Sequence, residues 1–274
     1  MSVNQRQWRL ICDEPATGRW NMACDEAILA AIGAGDQPPT LRLYAWEPAC
    51  LSLGISQSAA EADFDSMDAR GWQIVRRPTG GRAILHTDEL TYSLTLPPDH
   101  RLAALDIVES YRQISGALMY ALERLGAQPH SERRSEPAAK RPGAVCFEVP
   151  SHYEITVDGR KLAGSAQMRK KSGMLQHGSL PLYGDVARIC DALVYESDDA
   201  REAAKTVVRE RATTLADAIG RTVAWDEAAA ALADGFSNVF DVELIDGKLS
   251  DAETEWATNL EREKYGAFDH IHAR

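Results

Sequence analysis

HYEITVDGRKLAGSAQMRKKSGMLQHGSLPLY, residues 152–183, decides the fold. β-Prone residues run up to Asp158-Gly159, a dipeptide suited to a two-residue turn that needs positive φ, and a second β-prone run starts at Arg160. Residues 152–167 therefore read as a hairpin, and MLQHGSLPLY at 174–183 supplies a further strand.

Working outward, QPHSERRSEPAAKRPG at 128–143 is polar, proline-bearing and aperiodic, as a surface loop would be. Before it, LDIVESYRQISGALMYALERLG at 105–126 repeats apolar residues at spacings of three and four, which predicts a helix. WQIVRR (72–77), RAILH (82–86) and LTYSLTL (90–96) read as strands, the first two split by the turn PTGG. LRLYAWEP (41–48) and CLSLGIS (50–56) are two more, and AAEADFDSMDARG is a helix ending at Gly71. At the start, the strand WRLI (8–11) leads into a helix over 18–32 that Gly33 stops. Beyond about residue 185 the pattern turns helical, interrupted by a short DVELIDGKL piece. Neither an internal repeat nor a low-complexity linker appears, so the expectation is one mixed α/β catalytic domain with a mainly helical C-terminal portion packed on it.

A chain of 274 residues, 45% hydrophobic and 26% charged, can build a substantial core. Thirty basic residues against 41 acidic leave a net charge of −11, which argues against nucleic-acid binding by general phosphate attraction. The cysteines, at 12, 24, 50, 146 and 190, form an odd set without CxxC pairs, so neither a zinc site nor a disulfide framework is expected. MSVNQRQWRL lacks an apolar signal core, and no later segment approaches the ~18 unbroken apolar residues of a membrane span. A cytoplasmic protein without membrane attachment is the expectation.

Three stretches could carry chemistry. In RRPTGGRAILH (76–86), Gly80 and Gly81 let backbone approach a ligand while Arg76, Arg77 and Arg82 bring positive charge; a plain turn with solvated arginines is the other reading. The loop matches neither the Walker spacing nor GxGxxG. On the hairpin, Lys161 follows the tight turn and could be held over a pocket to polarise a carbonyl or pair with a thiolate, or could simply be an exposed strand lysine. Gly164, Ser165, Ala166 and Gly178 are small enough for a thin substrate to lie against, though small residues also mark bulges and close packing. His86, His152 and His177 lie near these stretches without metal-ligand spacing, so no metal is expected, and His86 could line a pocket. Cys146, in GAVCFEVPSHYE, is either a nucleophile activated by a cation such as Lys161 or an inert packed thiol; the other four cysteines read as packing.

Taken in order, RRPTGGRAILHTDELTYS, CFEVPSHYEITVDGRKLAGSAQMR and LQHGSLPL resemble the biotin/lipoate protein ligase superfamily, and LYAWEPACLSLGISQ and MACDEAIL extend the likeness over most of the first two hundred residues. Within it the chain resembles the octanoyltransferases that carry a cysteine just ahead of PSxYEI, a position Cys146 fills. The resemblance implies an α+β catalytic domain, a mixed or antiparallel sheet flanked by helices, spanning 1–274 with its core about 33–245.

It also implies the chemistry. Octanoyl would arrive as a thioester on acyl carrier protein, pass to Cys146, and be displaced by a lysine amine of a lipoyl domain, such as that of the glycine cleavage H protein. Lys161 would stabilise the acyl oxygen. The implied substrate contacts are Arg76, Arg77, Thr79, Gly80, Gly81, His86, Gly164, Ser165, Ala166, His177 and Gly178, with no cofactor; the sequence carries no signal for symmetry, so a monomer is the default expectation. Arg133, Arg134, Lys140, Arg141, Arg169, Lys170 and Lys171 would form a docking patch for acidic partners. An ATP-dependent lipoate ligase, a lipoyl-domain amidotransferase and a non-catalytic acyl-binding module are the alternatives.

Overall fold

A computed structural model describes residues 6–132 and 154–272. In chain order it begins with β1 (Gln7–Cys12), α1 (Gly18–Ala34), β2 (Thr40–Tyr44), β3 (Cys50–Leu53), α2 (Phe64–Ala69), β4 (Gln73–Arg76), β5 (Ile84–His86) and β6 (Glu89–Leu96). Next come α3 (Arg101–Ala104), α4 (Ile107–Arg124), β7 (His130–Glu132), β8 (Glu154–Val157), β9 (Arg160–Lys170) and β10 (Gly173–Pro181). The chain continues through α5 (Asp198–Arg211), α6 (Leu215–Ile219), α7 (Trp225–Phe240), β11 (Glu243–Asp246), α8 (Asp251–Leu260), a π turn over Glu261–Tyr265, and α9 (Phe268–His272).

The strands form two sheets. The larger has the order β11-β1-β2-β6-β10-β9-β8-β7; β1 runs parallel to both neighbours and the remaining pairs are antiparallel. The smaller, β4-β3-β5, joins a parallel to an antiparallel pair. This is a mixed α+β architecture with helices against the large sheet.

The hairpin forms where Asp158 and Gly159 predict it: both have positive φ, 50° and 72°, the left-handed pair that matches strand twist. Alternation along β10 then assigns the faces. Gln176 points to Tyr92 and Gln167, beside Ser110 of α4, whereas His177 points to Asp25 of α1. The α4 side holds the main core, where Tyr92, Leu94 and Leu96 meet Ile114, Leu118 and Phe236. α1 is buried along most of its length, polar Asn21, Asp25 and Glu26 included, because it is covered by the sheet on one side and by α8 on the other. Thr17 caps its first turn and Gly35, at φ 81°, ends it, two residues later than Gly33 suggests.

Several expected elements differ. The 128–143 stretch, expected as loop, opens with β7, whose backbone pairs with β8 from His130↔Thr156 to Glu132↔Glu154; its remainder lies outside the described residues. The helix expected over 59–71 is a 3-10 turn followed by α2. The late helical portion is more than an addition to the sheet, since it returns β11 to pair with β1 and packs α7 on α4.

Candidate active site

The site lies between the two sheets, over α1. β9 and β10 run antiparallel in a register that puts Ala166 opposite His177, Ser165 opposite Gly178 and Gly164 opposite Ser179. These residues form one wall of a cavity of about 170 Å³. The facing wall comes from the small sheet and its turn through Ser52, Arg77, Gly81, Arg82, Ile84 and His86. Met22, Tyr44, Trp46 and Thr91 complete the lining.

Many of these side chains are polar, yet their polar atoms are engaged inside the protein. His177 donates Nδ1–H to Asp25 at 3.3 Å, and its Nε2 meets the Thr79 hydroxyl at 2.7 Å. Burial lowers the His177 pKa against the pull of Asp25, so the ring stays neutral and Nε2 accepts from Thr79. Burial pushes the Asp25 carboxyl up, but His177 and Arg42 outweigh it and hold the carboxylate below its ordinary range. Arg42 reaches Asp25 at 3.0 Å and Asp13 at 2.6 Å, with its guanidinium 4.0 Å from the Tyr44 ring centre.

The opposite imidazole is bound just as fully. His86 Nδ1 lies 2.7 Å from Glu89 and Nε2 lies 2.8 Å from Ser52 Oγ, while one ring face stacks on Trp46 at 3.9 Å. Ser179 and Thr91 donate to Glu89, and Trp46 Nε1 donates to Thr91 at 2.8 Å. Arg77 donates to the carbonyls of Ser52, Gly80 and Arg82 and to Ser52 Oγ, which ties the glycine turn to β3. What such a cavity offers a ligand is largely carbon.

Arg76 is not on this wall, contrary to its expected substrate role. Its guanidinium points the other way, into the backbone carbonyls of Gly54, Ile55, Gln57, His270 and Ile271. Thr79 stands behind His177, and Gly80 turns its carbonyl to Arg77, so neither is part of the lining; Gly81, at φ 94°, is. Its carbonyl lies 2.0 Å from where a Cβ on Gly54 would be, so only glycine fits at 54.

Lys161 is buried beside the cavity's glycine edge. Its Nζ donates to Glu154 at 2.9 Å, and its terminal carbon and nitrogen lie 3.0 and 3.3 Å from the Cβ position of Gly164. The reading of Lys161 as an exposed strand lysine is therefore excluded, and the ammonium belongs to an ion pair. Cys146 and His152 lie outside the described residues. Of the expected docking cations, Arg169 is engaged with the carbonyls of Ala103, Leu105 and Asp106 and with Ser110, and Lys170 pairs with Glu26. Arg133, Arg134, Lys140 and Arg141 lie outside the described residues.

Asp25, Glu89 and Glu154 were not among the expected site residues. Only Glu89 had a local signal, the HTDE spacing that sets it three residues after His86; Asp25 is 152 residues from His177. Among the described residues no group of three metal-ligating side chains converges, and no helix is long and apolar enough to cross a membrane.

The chain is thus a two-sheet α+β domain enclosing a glycine-edged, carbon-lined cavity beside a buried lysine. Residues 17–237 match the lipoyl protein ligase A/B catalytic domain, and the chain belongs to that family. It is 41% identical over 258 residues to the octanoyltransferase LipM of Kyrpidia tusciae, covering 92% of this chain and 94% of that one. With the octanoyltransferase LipM of Bacillus subtilis it shares 36% over 271 residues, 97% and 98% of the two chains. Among solved structures it is similar to the bipartite lipoate protein ligase of Thermoplasma acidophilum, studied with its E2 lipoyl domain, at 26% identity and a TM-score of 0.81 over 97% of this chain and 96% of that one. A lipoate-protein ligase A bound with ATP superposes with a TM-score of 0.80 at 25% identity, over 97% and 98% of the chains.

Proposed function

We propose that this chain is an acyltransferase of protein lipoylation that moves an octanoyl group from acyl carrier protein to a lysine of a lipoyl domain, through a thioester on Cys146. The observation that carries the reading is the cavity: its histidines and Arg77 direct their nitrogens into the protein, leaving a slot suited to an alkyl chain. About seven chain carbons at roughly 0.8 kcal/mol each give burial enough to hold octanoyl without a charged head group. The similarity to two octanoyltransferases supports the acyl group, and the lipoyl-domain partner of the Thermoplasma ligase supports the class of acceptor.

The chemistry balances without ATP. The Cys146 thiolate attacks the donor's carbonyl carbon, its new C–S bond replaces the old one, and the carrier leaves as thiolate. The acceptor amine then attacks the same carbon, loses a proton and expels the Cys146 thiolate, forming the more stable amide. Lys161, held by Glu154 at the Gly164 edge, stabilises negative charge on the acyl oxygen in both steps. The described cysteines are poor nucleophiles: burial pushes the Cys24 thiol up to about 12 and raises Cys50 as well, burial and nearby acids raise Cys12, and Cys190 is buried.

Intact-protein mass spectrometry after mixing with octanoyl-acyl carrier protein tests this directly. Wild type should gain one octanoyl group, discharged by apo H protein, and Cys146→Ala should gain none. Modification of apo H protein by free octanoate and ATP, with no acyl-enzyme from the carrier, would instead establish a ligase.

A further inference from the structure

Arg76 occupies a position where a cation has no obvious task, since the cavity is on its other side. It is 1% exposed, and five backbone carbonyls from two distant parts of the chain receive its guanidinium. Nη1 holds Gly54 at 2.8 Å and Gln57 at 2.7 Å, in the turn after β3. Nε and Nη2 hold His270 at 3.1 Å and Ile271 at 2.5 Å, in α9. The contact is returned: His270 Nε2 donates to the Arg76 carbonyl at 3.2 Å. A guanidinium can bridge both groups because its donors form a rigid planar fork; an ammonium cannot.

The same C-terminal segment grips the other wall. Lys264 and Tyr265, in the π turn, both bind Glu26, with the Tyr265 hydroxyl at 2.8 Å. Glu26 adjoins Asp25, the carboxylate that holds His177, just as Arg76 adjoins Arg77, which holds the glycine turn. Each anchor is thus one residue removed from a cavity-wall anchor. Residues 261–272 also lie beyond the part of the chain that matches the family's catalytic domain.

We propose that residues 261–272 form a strap that sets the spacing of the cavity walls, and that Arg76 is the positioning residue through which it acts. Releasing the strap loosens the turn at 77–82 and with it the seat of the acyl chain, while the chemistry beside Lys161 persists once a substrate is seated.

The test compares full-length protein with a chain ending at Ala267 and with Arg76→Lys, each checked for folding by circular dichroism. Amide hydrogen exchange of residues 77–82 should accelerate by roughly tenfold or more in both, with exchange in β9 and β10 unchanged. The KM for octanoyl-acyl carrier protein should rise by about tenfold with kcat within about threefold, a split that general destabilisation would not produce. His270→Ala keeps the carbonyl acceptors and should shift exchange by less than about twofold. Unchanged exchange at 77–82 in folded Arg76→Lys overturns the strap, as does a loss confined to kcat. The kinetic arm rests on the functional reading above, whereas the exchange arm needs no substrate, so a wild type inactive in octanoyl transfer would sink that reading and leave the strap decided on exchange alone.

Discussion

The two walls of the cavity are held by different means. The β9–β10 wall is part of an eight-stranded sheet, where a continuous antiparallel ladder fixes each residue and side chains add orientation. The facing wall hangs from a sheet of three strands, each three or four residues long, and its turn is shaped by arginine donors reaching main-chain oxygens. One wall is built by backbone and the other by side chains. Damage to the first should therefore appear as lost stability, and damage to the second as lost function in a protein that remains folded.

The largest effect should come from Asp25→Ala, behind the ladder wall. It strips the carboxylate from a fully buried Arg42 and releases His177, so a loss of about 3–5 kcal/mol is expected from urea unfolding. A loss below about 1 kcal/mol would mean that Asp13 alone satisfies Arg42.

Arg77→Met sharpens the contrast from the other side. It leaves the carbonyls of Ser52, Gly80 and Arg82 without this donor, for about 1–3 kcal/mol, while octanoyl transfer should fall by about a hundredfold as the turn shifts. Equal treatment of the two walls would be revealed by a proportionate fall in stability.

Gly164→Ala is smaller still and is the exception on the ladder wall, because its added methyl meets the Lys161 side chain and leaves the backbone pairing alone. The added methyl would sit 3.0 Å from the flexible end of Lys161, which yields by a few tenths of an ångström. Stability should change by less than ~1 kcal/mol, and the rate of acyl-enzyme formation should drop by roughly tenfold because the ammonium has moved.

A pH series probes the wall carboxylates and histidines together. His177 and His100 have folded-state values below the ordinary 6.5, lowered by burial, with His100 at about 4. The unfolded chain therefore takes up protons first as pH falls, so their stabilising contribution is complete above 6.5 and diminishes toward 4. Asp25 and Glu89, lowered by their partners despite burial, contribute above their ordinary carboxyl values and lose that contribution only in stronger acid. The urea midpoint should be lower at about pH 5 than at about pH 7.5. Equal midpoints would show that neither histidine is held neutral by the fold.

How legible all this was depends on what fixes each part. The hairpin was readable because Asp158-Gly159 and strand alternation are local signals, and the long α4 repeat is equally plain. β7 was hidden, since His130, Ser131 and Glu132 include no β-branched residue and no Tyr, Phe or Trp and are recruited by pairing with β8. α9 is five residues long and gains its place from Arg76 and from stacking of His272 on Phe64, contacts with no footprint in periodicity. The glycine turn and the small-residue strand were recognised from motif, but motif could not separate Arg76 from Arg77. Neighbours on a strand point to opposite sides, and only the fold shows which side holds the cavity.

The parallel pairing of β1 with β11 bears on how the chain is made. From the moment β1 leaves the ribosome, its outer edge presents open hydrogen-bonding groups, and the segment that covers them, Glu243–Asp246, follows every other described strand of the sheet in chain order. Until then a newborn chain has a sheet margin that other newborn chains can occupy, so the yield of this protein should depend on crowding during synthesis as well as on its final stability.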